Sequence, residues 1–255
     1  MVNKAFSTKF FPMVVAHRGA SASLPENTLE AFGAAFAAGA QVVELDIRLT
    51  GDGVPVVAHD GDLTRVSGGA SKDLIHELTA EAIRSAAPAI PTLAEVLAFA
   101  DGRGGLDLEI KNVPWDPAFE PEGQSVLEAA LGLLETSFAG PLLISSFNRA
   151  TIERSRQLAA GIPTGLLVLP KVPLAGELEY AAGAGHVFIL PNVDALLEEG
   201  PSFVEKAHAR KIRVGTWVVD DESTQETMFR WGVDAVASND PGSAIAVLRR
   251  VQGER

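Results

Sequence analysis

Two imidazoles, three carboxylates and two cations stand in this chain close to where short apolar runs end. Val14-Val15-Ala16 stops on His17-Arg18-Gly19, and the run from Val54 to Ala58 stops on His59. Glu44 and Asp46 are spaced by one residue between Val42 and Leu49, and Glu109 and Lys111 share that spacing between Leu106 and Lys111. Histidine is the side chain whose unperturbed pKa, about 6.5, lets it give and take protons near neutrality. His17 and His59 are therefore the acid/base candidates, and the sequence leaves their two roles interchangeable. Glu44, Asp46 and Glu109 offer the oxygen ligands that hard cations such as Mg²⁺ or Ca²⁺ take. The histidines as metal ligands are the less favoured alternative, because three carboxylates are already available.

The plain competing explanation is an ion-pair cluster in which Arg48 and Lys111 neutralise the carboxylates. Taken singly, each pair reads that way. Inward-facing charges on strands are costly unless they are paired or bind an ion. The gathering of so many polar groups at one predicted end favours a site, since a purely structural network needs no imidazoles. His76, His186 and His208 fall on helices or at a strand start and read as ordinary structural polar residues.

Period-two alternation predicts the elements that carry these groups. In Val42 to Leu49 it places Val43, Leu45, Ile47 and Leu49 on one face and Glu44, Asp46 and Arg48 on the other. In Leu106 to Lys111 it sets Leu106, Leu108 and Ile110 opposite Asp107, Glu109 and Lys111. Thr50-Gly51-Asp52-Gly53 signals a hairpin. With a two-residue loop, His59 falls opposite Asp46, and a slip of one moves it to Leu45. Asn27, followed three positions later by Glu30, reads as the capping box of an Ala-rich helix to about Ala38, and Pro25-Glu26-Asn27-Thr28 as helix initiation rather than catalysis. Thr92 with Glu95 repeats that grammar. Asp73 to about Ala86 reads as short and helical, and the remaining chain alternates strand and helix through a last helix begun by Pro241. Eight β/α units in ~250 residues predict an α/β fold, a TIM (β/α)8 barrel with a short insertion at about 60–89 after the second strand. An open doubly wound sheet is the alternative, weakened by the lack of a Gly-x-Gly-x-x-Gly turn.

The chain has 255 residues, 47% hydrophobic, and is expected to form a single domain over 1–255. A formal charge of −12 argues against nucleic acid or an anionic membrane as partner. There is no cysteine, which excludes disulfides, thiolate nucleophiles and zinc–thiolate sites. The segment Met1 to Pro12 is a poor signal peptide, and no apolar run approaches the ~20 residues of a membrane span. A cytoplasmic protein without stable membrane insertion is the expectation; its oligomeric state is left open.

In order, His17-Arg18-Gly19, Pro25-Glu26-Asn27-Thr28, Glu44-x-Asp46, His59-Asp60, Glu109-x-Lys111, Ser146-Phe147 and Trp217 resemble the motif series of the glycerophosphodiester phosphodiesterase family. The resemblance runs from His17 to about Pro241. It implies a barrel enzyme that hydrolyses glycerophosphodiesters to glycerol 3-phosphate and an alcohol with a divalent cation. By position it implies Glu44, Asp46 and Glu109 at the metal, His17 and His59 as the acid/base pair, and Arg18 and Lys111 on phosphate oxygens. Phe147 and Trp217 are expected to border the glycerol or headgroup. A toxin-type phospholipase D activity on lysophospholipid or sphingolipid shares the pattern, but the missing cysteines count against it. A non-catalytic barrel binding phosphorylated metabolites would not require the full set.

Overall fold

The computed structural model describes residues 4–253. Among the described residues, nine strands form one sheet: β1 (Met13–His17), β2 (Val42–Leu49), β3 (Pro55–Val57), β4 (Gly105–Ile110), β5 (Leu142–Ser146), β6 (Thr164–Val168), β7 (Phe188–Pro191), β8 (Arg213–Thr216) and β9 (Ala235–Ser238). All neighbours are parallel except β3, which runs back antiparallel along the end of β2; β1 pairs with both β2 and β9, so the other eight strands close into a barrel. Helices α1 (Leu29–Ala38), α2 (Ala80–Ala86), α3 (Leu93–Ala100), α4 (Ser125–Ser137), α5 (Arg149–Leu158), α6 (Leu174–Ala184), α7 (Val193–Glu199), α8 (Pro201–Ala209), α9 (Glu222–Arg230) and α10 (Pro241–Gly253) lie between and after them. This is the expected TIM barrel, with β3 and α2 in the excursion after β2.

The strand periodicity sorts the core into two layers. Val43, Leu45 and Ile47 of β2, and Leu106, Leu108 and Ile110 of β4, are fully buried in the cluster that includes Phe32 and Leu97 of the surrounding helices. The opposite face points into the barrel. Towards the strand starts it is apolar, with Met13, Val15, Val42, Leu143 and Phe188 in one inner cluster. Towards the strand ends it turns charged, with Glu44, Asp46, Arg48, Asp107 and Glu109.

The N-terminal segment seals the apolar end. Phe6, Phe10 and Phe11 pack on the inner cluster, Leu142 N donates to Lys4 O at 2.9 Å, and the Arg213 guanidinium stacks 3.7 Å over the Phe11 ring. Gly105 opens β4 there because any Cβ would meet the Phe6 ring at 2.6 Å.

Four local expectations are corrected. The β2–β3 register pairs Ile47 with Val57, which places His59 across from Leu45 rather than Asp46. The turn holds three residues, Gly51 to Gly53, with Thr50 N donating to Val54 O and Gly53 at φ +81°. A type I turn followed by a left-handed residue adds one position to a two-residue loop. The α1 cap is Thr28, whose hydroxyl accepts from Ala31 N, and not Asn27. The 73–86 stretch divides into a 3-10 turn at Ile75–Glu77 and α2. Helix α7 was not expected; Asn192 caps it. The Thr92–Glu95 capping box forms as read.

Candidate active site

At the C-terminal end of the barrel, the predicted site residues arrive from several strands. His17 ends β1, Glu44 and Asp46 face inward from β2, Glu109 faces inward from β4, and Lys111, Phe147 and Trp217 each follow a strand by one residue. His59 lies two residues beyond β3. All but Asp46 line one cleft of about 600 Å³. Asp46 lies beneath the cleft surface, fully covered.

The turn after β1 explains the glycine of His17-Arg18-Gly19. Arg18 and Gly19 both adopt left-handed backbone, at φ +59° and +87°, and a Cβ on Gly19 would meet Ala31 at 2.7–2.9 Å. The turned backbone lets Arg18 N donate to Glu44 Oε2 at 3.0 Å. Its guanidinium reaches Asp46 Oδ2 at 3.2 Å and Glu26 Oε1 at 3.1 Å.

One oxygen from each of Glu44, Asp46 and Glu109 lies within 4.8 Å of the others. Lys111 Nζ bridges two of them, 2.8 Å from Asp46 Oδ1 and 2.5 Å from Glu109 Oε1. Glu44 Oε1 is buried without a hydrogen-bond partner. Burial, with Asp46 and Glu109 beside it, pushes the Glu44 carboxyl well above its usual range. Asp46 is held low: burial opposes its charge, but Lys111 and Arg18 outweigh it. An orphaned buried oxygen and mutually repelling carboxylates fit a divalent cation, which supplies the missing positive charge and takes oxygen ligands.

The two imidazoles are anchored differently. His17 Nδ1 lies 2.7 Å from Asn239 Oδ1, and Asn239 Nδ2 donates to Asp220 Oδ2 at 2.7 Å. That second bond fixes the amide, so Asn239 presents its oxygen and Nδ1 of His17 must carry the proton. Burial and then the neighbouring Arg18 lower the His17 pKa to about 4, so the ring is neutral at pH 7 with a bare Nε2. His59 Nδ1 instead meets a carboxylate, Asp60 Oδ1, at 2.8 Å. Asp60 sits at about 2; burial opposes its charge, but hydrogen bonds from Arg65 and His59 prevail.

Arg48 does not neutralise the carboxylates as the ion-pair explanation had it. It pairs with Asp116 at 2.6 Å. Phe147 and Trp217 meet edge to face at 5.5 Å, and Trp115 meets Phe147 at 6.1 Å, so a run of aromatic rings forms part of the cleft wall. His186 and His208 take structural places, on Thr164 and Asp234.

Comparison with known proteins settles the family. The pattern of the Glycerophosphoryl diester phosphodiesterase family matches residues 17–243. A glycerophosphodiester phosphodiesterase of Caldanaerobacter subterraneus is 30% identical over 253 residues, covering 93% of this chain and 98% of that protein. An Oleispira antarctica phosphodiesterase, solved in complex with the product sn-glycerol-3-phosphate, superposes with a TM-score of 0.84 at 28% identity, covering 94% of this chain and 98% of that one. A Thermotoga maritima glycerophosphodiester phosphodiesterase gives 0.77 at 27% identity, covering 92% and 97%.

The chain belongs to the glycerophosphoryl diester phosphodiesterase family. Membership makes it a phosphoric diester hydrolase. Within this candidate site, reading the residues one by one missed several. Asn27, read as a helix cap, is buried at φ +59° and donates to Asp46 Oδ2 at 2.7 Å. Glu26 links Arg18 to Arg65, and Asn239 orients His17. Asp107, on the same face as Glu109, accepts from Ser145 Oγ at 2.7 Å, and burial pushes it up to about 7. The Pro25-Glu26-Asn27-Thr28 motif was the available signal for Glu26 and Asn27. Asn239 carries a signal only in the segment Asn239-Asp240-Pro241.

Proposed function

We propose that residues 1–255 act as one catalytic unit that hydrolyses glycerophosphodiesters to glycerol 3-phosphate and an alcohol, with Mg²⁺ or Ca²⁺ held by Glu44, Asp46 and Glu109. The observation that carries this reading is the unequal anchoring of the imidazoles above those carboxylates. His17, neutral and with its Nδ1 proton committed to Asn239, offers Nε2 as a base. It takes a proton from the attacking oxygen as that oxygen bonds to phosphorus; the attacker is water, or a glycerol hydroxyl whose cyclic phosphate is then opened by water. His59 is held through its Nδ1 by the Asp60 carboxylate, which fixes the ring and leaves Nε2 for the leaving oxygen. It gives its Nε2 proton to the alcohol oxygen as the phosphorus–oxygen ester bond breaks, and exchange with solvent resets both rings.

Arg18 and Lys111 hold non-bridging phosphate oxygens, for which fixed cations suit developing charge. When bound, the divalent cation supplies charge neutralisation at those oxygens. Phe147 and Trp217 border the glycerol or headgroup and exclude water from that side. The glycerol 3-phosphate reported with the Oleispira antarctica protein supports the same product class. The test is glycerol 3-phosphate release from glycerophosphocholine, glycerophosphoethanolamine and glycerophosphoglycerol with Mg²⁺, Ca²⁺, Mn²⁺ or EDTA. Release with a cation and none in EDTA is expected; equal turnover in EDTA would overturn the metal assignment, and no release from any ester the substrate class.

A further inference from the structure

We propose that Arg48 is a positioning residue for His59, holding its backbone from the wall between two cavities. His59 lies past the end of β3, outside regular strand pairing, and its carbonyl takes both its hydrogen bonds from one guanidinium: Arg48 Nε at 3.0 Å and Nη2 at 2.6 Å. The third nitrogen, Nη1, donates to Asp116 Oδ2 at 2.6 Å. Asp116 is itself fixed, since its Oδ1 accepts from Ala118 N at 2.9 Å and its N–H donates to Val113 O. The Arg48 and Asp116 side chains are only 8% and 7% exposed.

The origin of the clamp matters. Arg48 is on β2, two residues beyond Asp46, with its backbone paired to Val56. The strand that presents Glu44 and Asp46 therefore also sets the place of His59. The ring is held separately, through Asp60 and Arg65. Behind the fork lies a second cavity of about 430 Å³, and Arg48, Gly61, Lys111 and Pro117 line both it and the cleft. Ala58 and Leu63 on either side are packed into a hydrophobic cluster, so the carbonyl between them that faces this wall is held by the fork. Ordinary charge neutralisation does not account for the arrangement, because a lysine would pair with Asp116 equally well, whereas the planar fork of arginine gives the carbonyl two bonds and the carboxylate a third in one fixed geometry.

The inference rests on His59 taking part in the reaction as proposed above. Displacing a reacting group by about 1 Å costs up to roughly 100-fold in rate. The test uses Arg48→Lys, which keeps a cation against Asp116, and Asp116→Asn, which loosens the fork should the first variant fold poorly. Each is measured alone and combined with His59→Asn, on glycerophosphocholine and on the p-nitrophenyl ester of glycerol phosphate. Arg48→Lys is expected to lower kcat roughly 10- to 100-fold on glycerophosphocholine with KM nearly unchanged. In the His59→Asn background it is expected to cost nothing more, the non-additivity that marks action through a shared residue. A loss that multiplies fully with that of His59→Asn, or no loss from Arg48→Lys and Asp116→Asn, would overturn the proposal. The acid role fails separately if His59→Asn slows both esters equally, since the nitrophenolate leaves without help; the double-variant comparison still decides the clamp.

Discussion

Replacing Lys111 with methionine should make the stability of this protein depend on divalent cations. The ammonium touches Asp46 and Glu109, whose side chains are 0% and 10% exposed. Removing one partner of a buried pair strands the other and typically costs about 3–5 kcal/mol. Asp46 keeps Arg18 at 3.2 Å, which places the loss near the lower end, about 3 kcal/mol. In a chain of this size, 1 kcal/mol shifts Tm by roughly 2–4 °C, so Lys111→Met should melt roughly 6–12 °C below the wild type in EDTA. A cation present at 100 times its Kd returns about 2.7 kcal/mol, nearly the whole deficit. Thermal unfolding followed by circular dichroism, in EDTA and then with Mg²⁺ or Ca²⁺ titrated in, measures both numbers. The reasoning is refuted by a variant that melts with the wild type in EDTA, or by a deficit that neither cation reduces.

Glu44→Gln should abolish turnover and also erase any cation-induced rise in Tm; a retained rise would remove Glu44 from the ligand set. Asn27→Gly keeps the left-handed backbone but deletes the bond to Asp46, and kcat should fall roughly 10- to 100-fold, as when a ligand loses its outer partner; steady-state kinetics would show unchanged turnover if Asp46 needs no such support. His186 is buried against Thr164, and burial and then Arg156 depress its pKa to about 4. As pH falls, the unfolded chain takes up this proton near 6.5 while the folded one resists until about 4, so stability is lost across that window. His186→Gln should flatten the decline, and urea midpoints of wild type and variant that fall in parallel from pH 7 to 4 would contradict the assignment.

What the sequence made legible follows from period. Alternation in Val42 to Leu49 and Leu106 to Lys111 assigned the inward faces correctly because both faces are buried but differ in chemistry, apolar against the helices and charged towards the barrel interior. The order of strands and helices then implied the barrel. Turn geometry was less legible: Gly51-Asp52-Gly53 admits loops of two or three residues, and only the left-handed Gly53 with its Thr50–Val54 bond decides. Residues that act through others were hidden for a different reason. Asn27 is indistinguishable from a helix cap by type and spacing, and Asn239 lies 222 positions from the histidine it orients. Arg48 was visible as an inward charge, but its true partner, Asp116, sits in the proline-rich loop after β4, where no periodicity predicts contact.

The aromatic stopper formed by Phe6, Phe10 and Phe11 bears on traffic. A β-barrel has two ends, and here the lower one is corked, so nothing passes along the axis from below. The charged end is reached over the opposite rim, the one bordered by Trp115 and Phe147. A bulky alcohol lodged against that rim would therefore lie across the way out for the phosphate fragment beneath it.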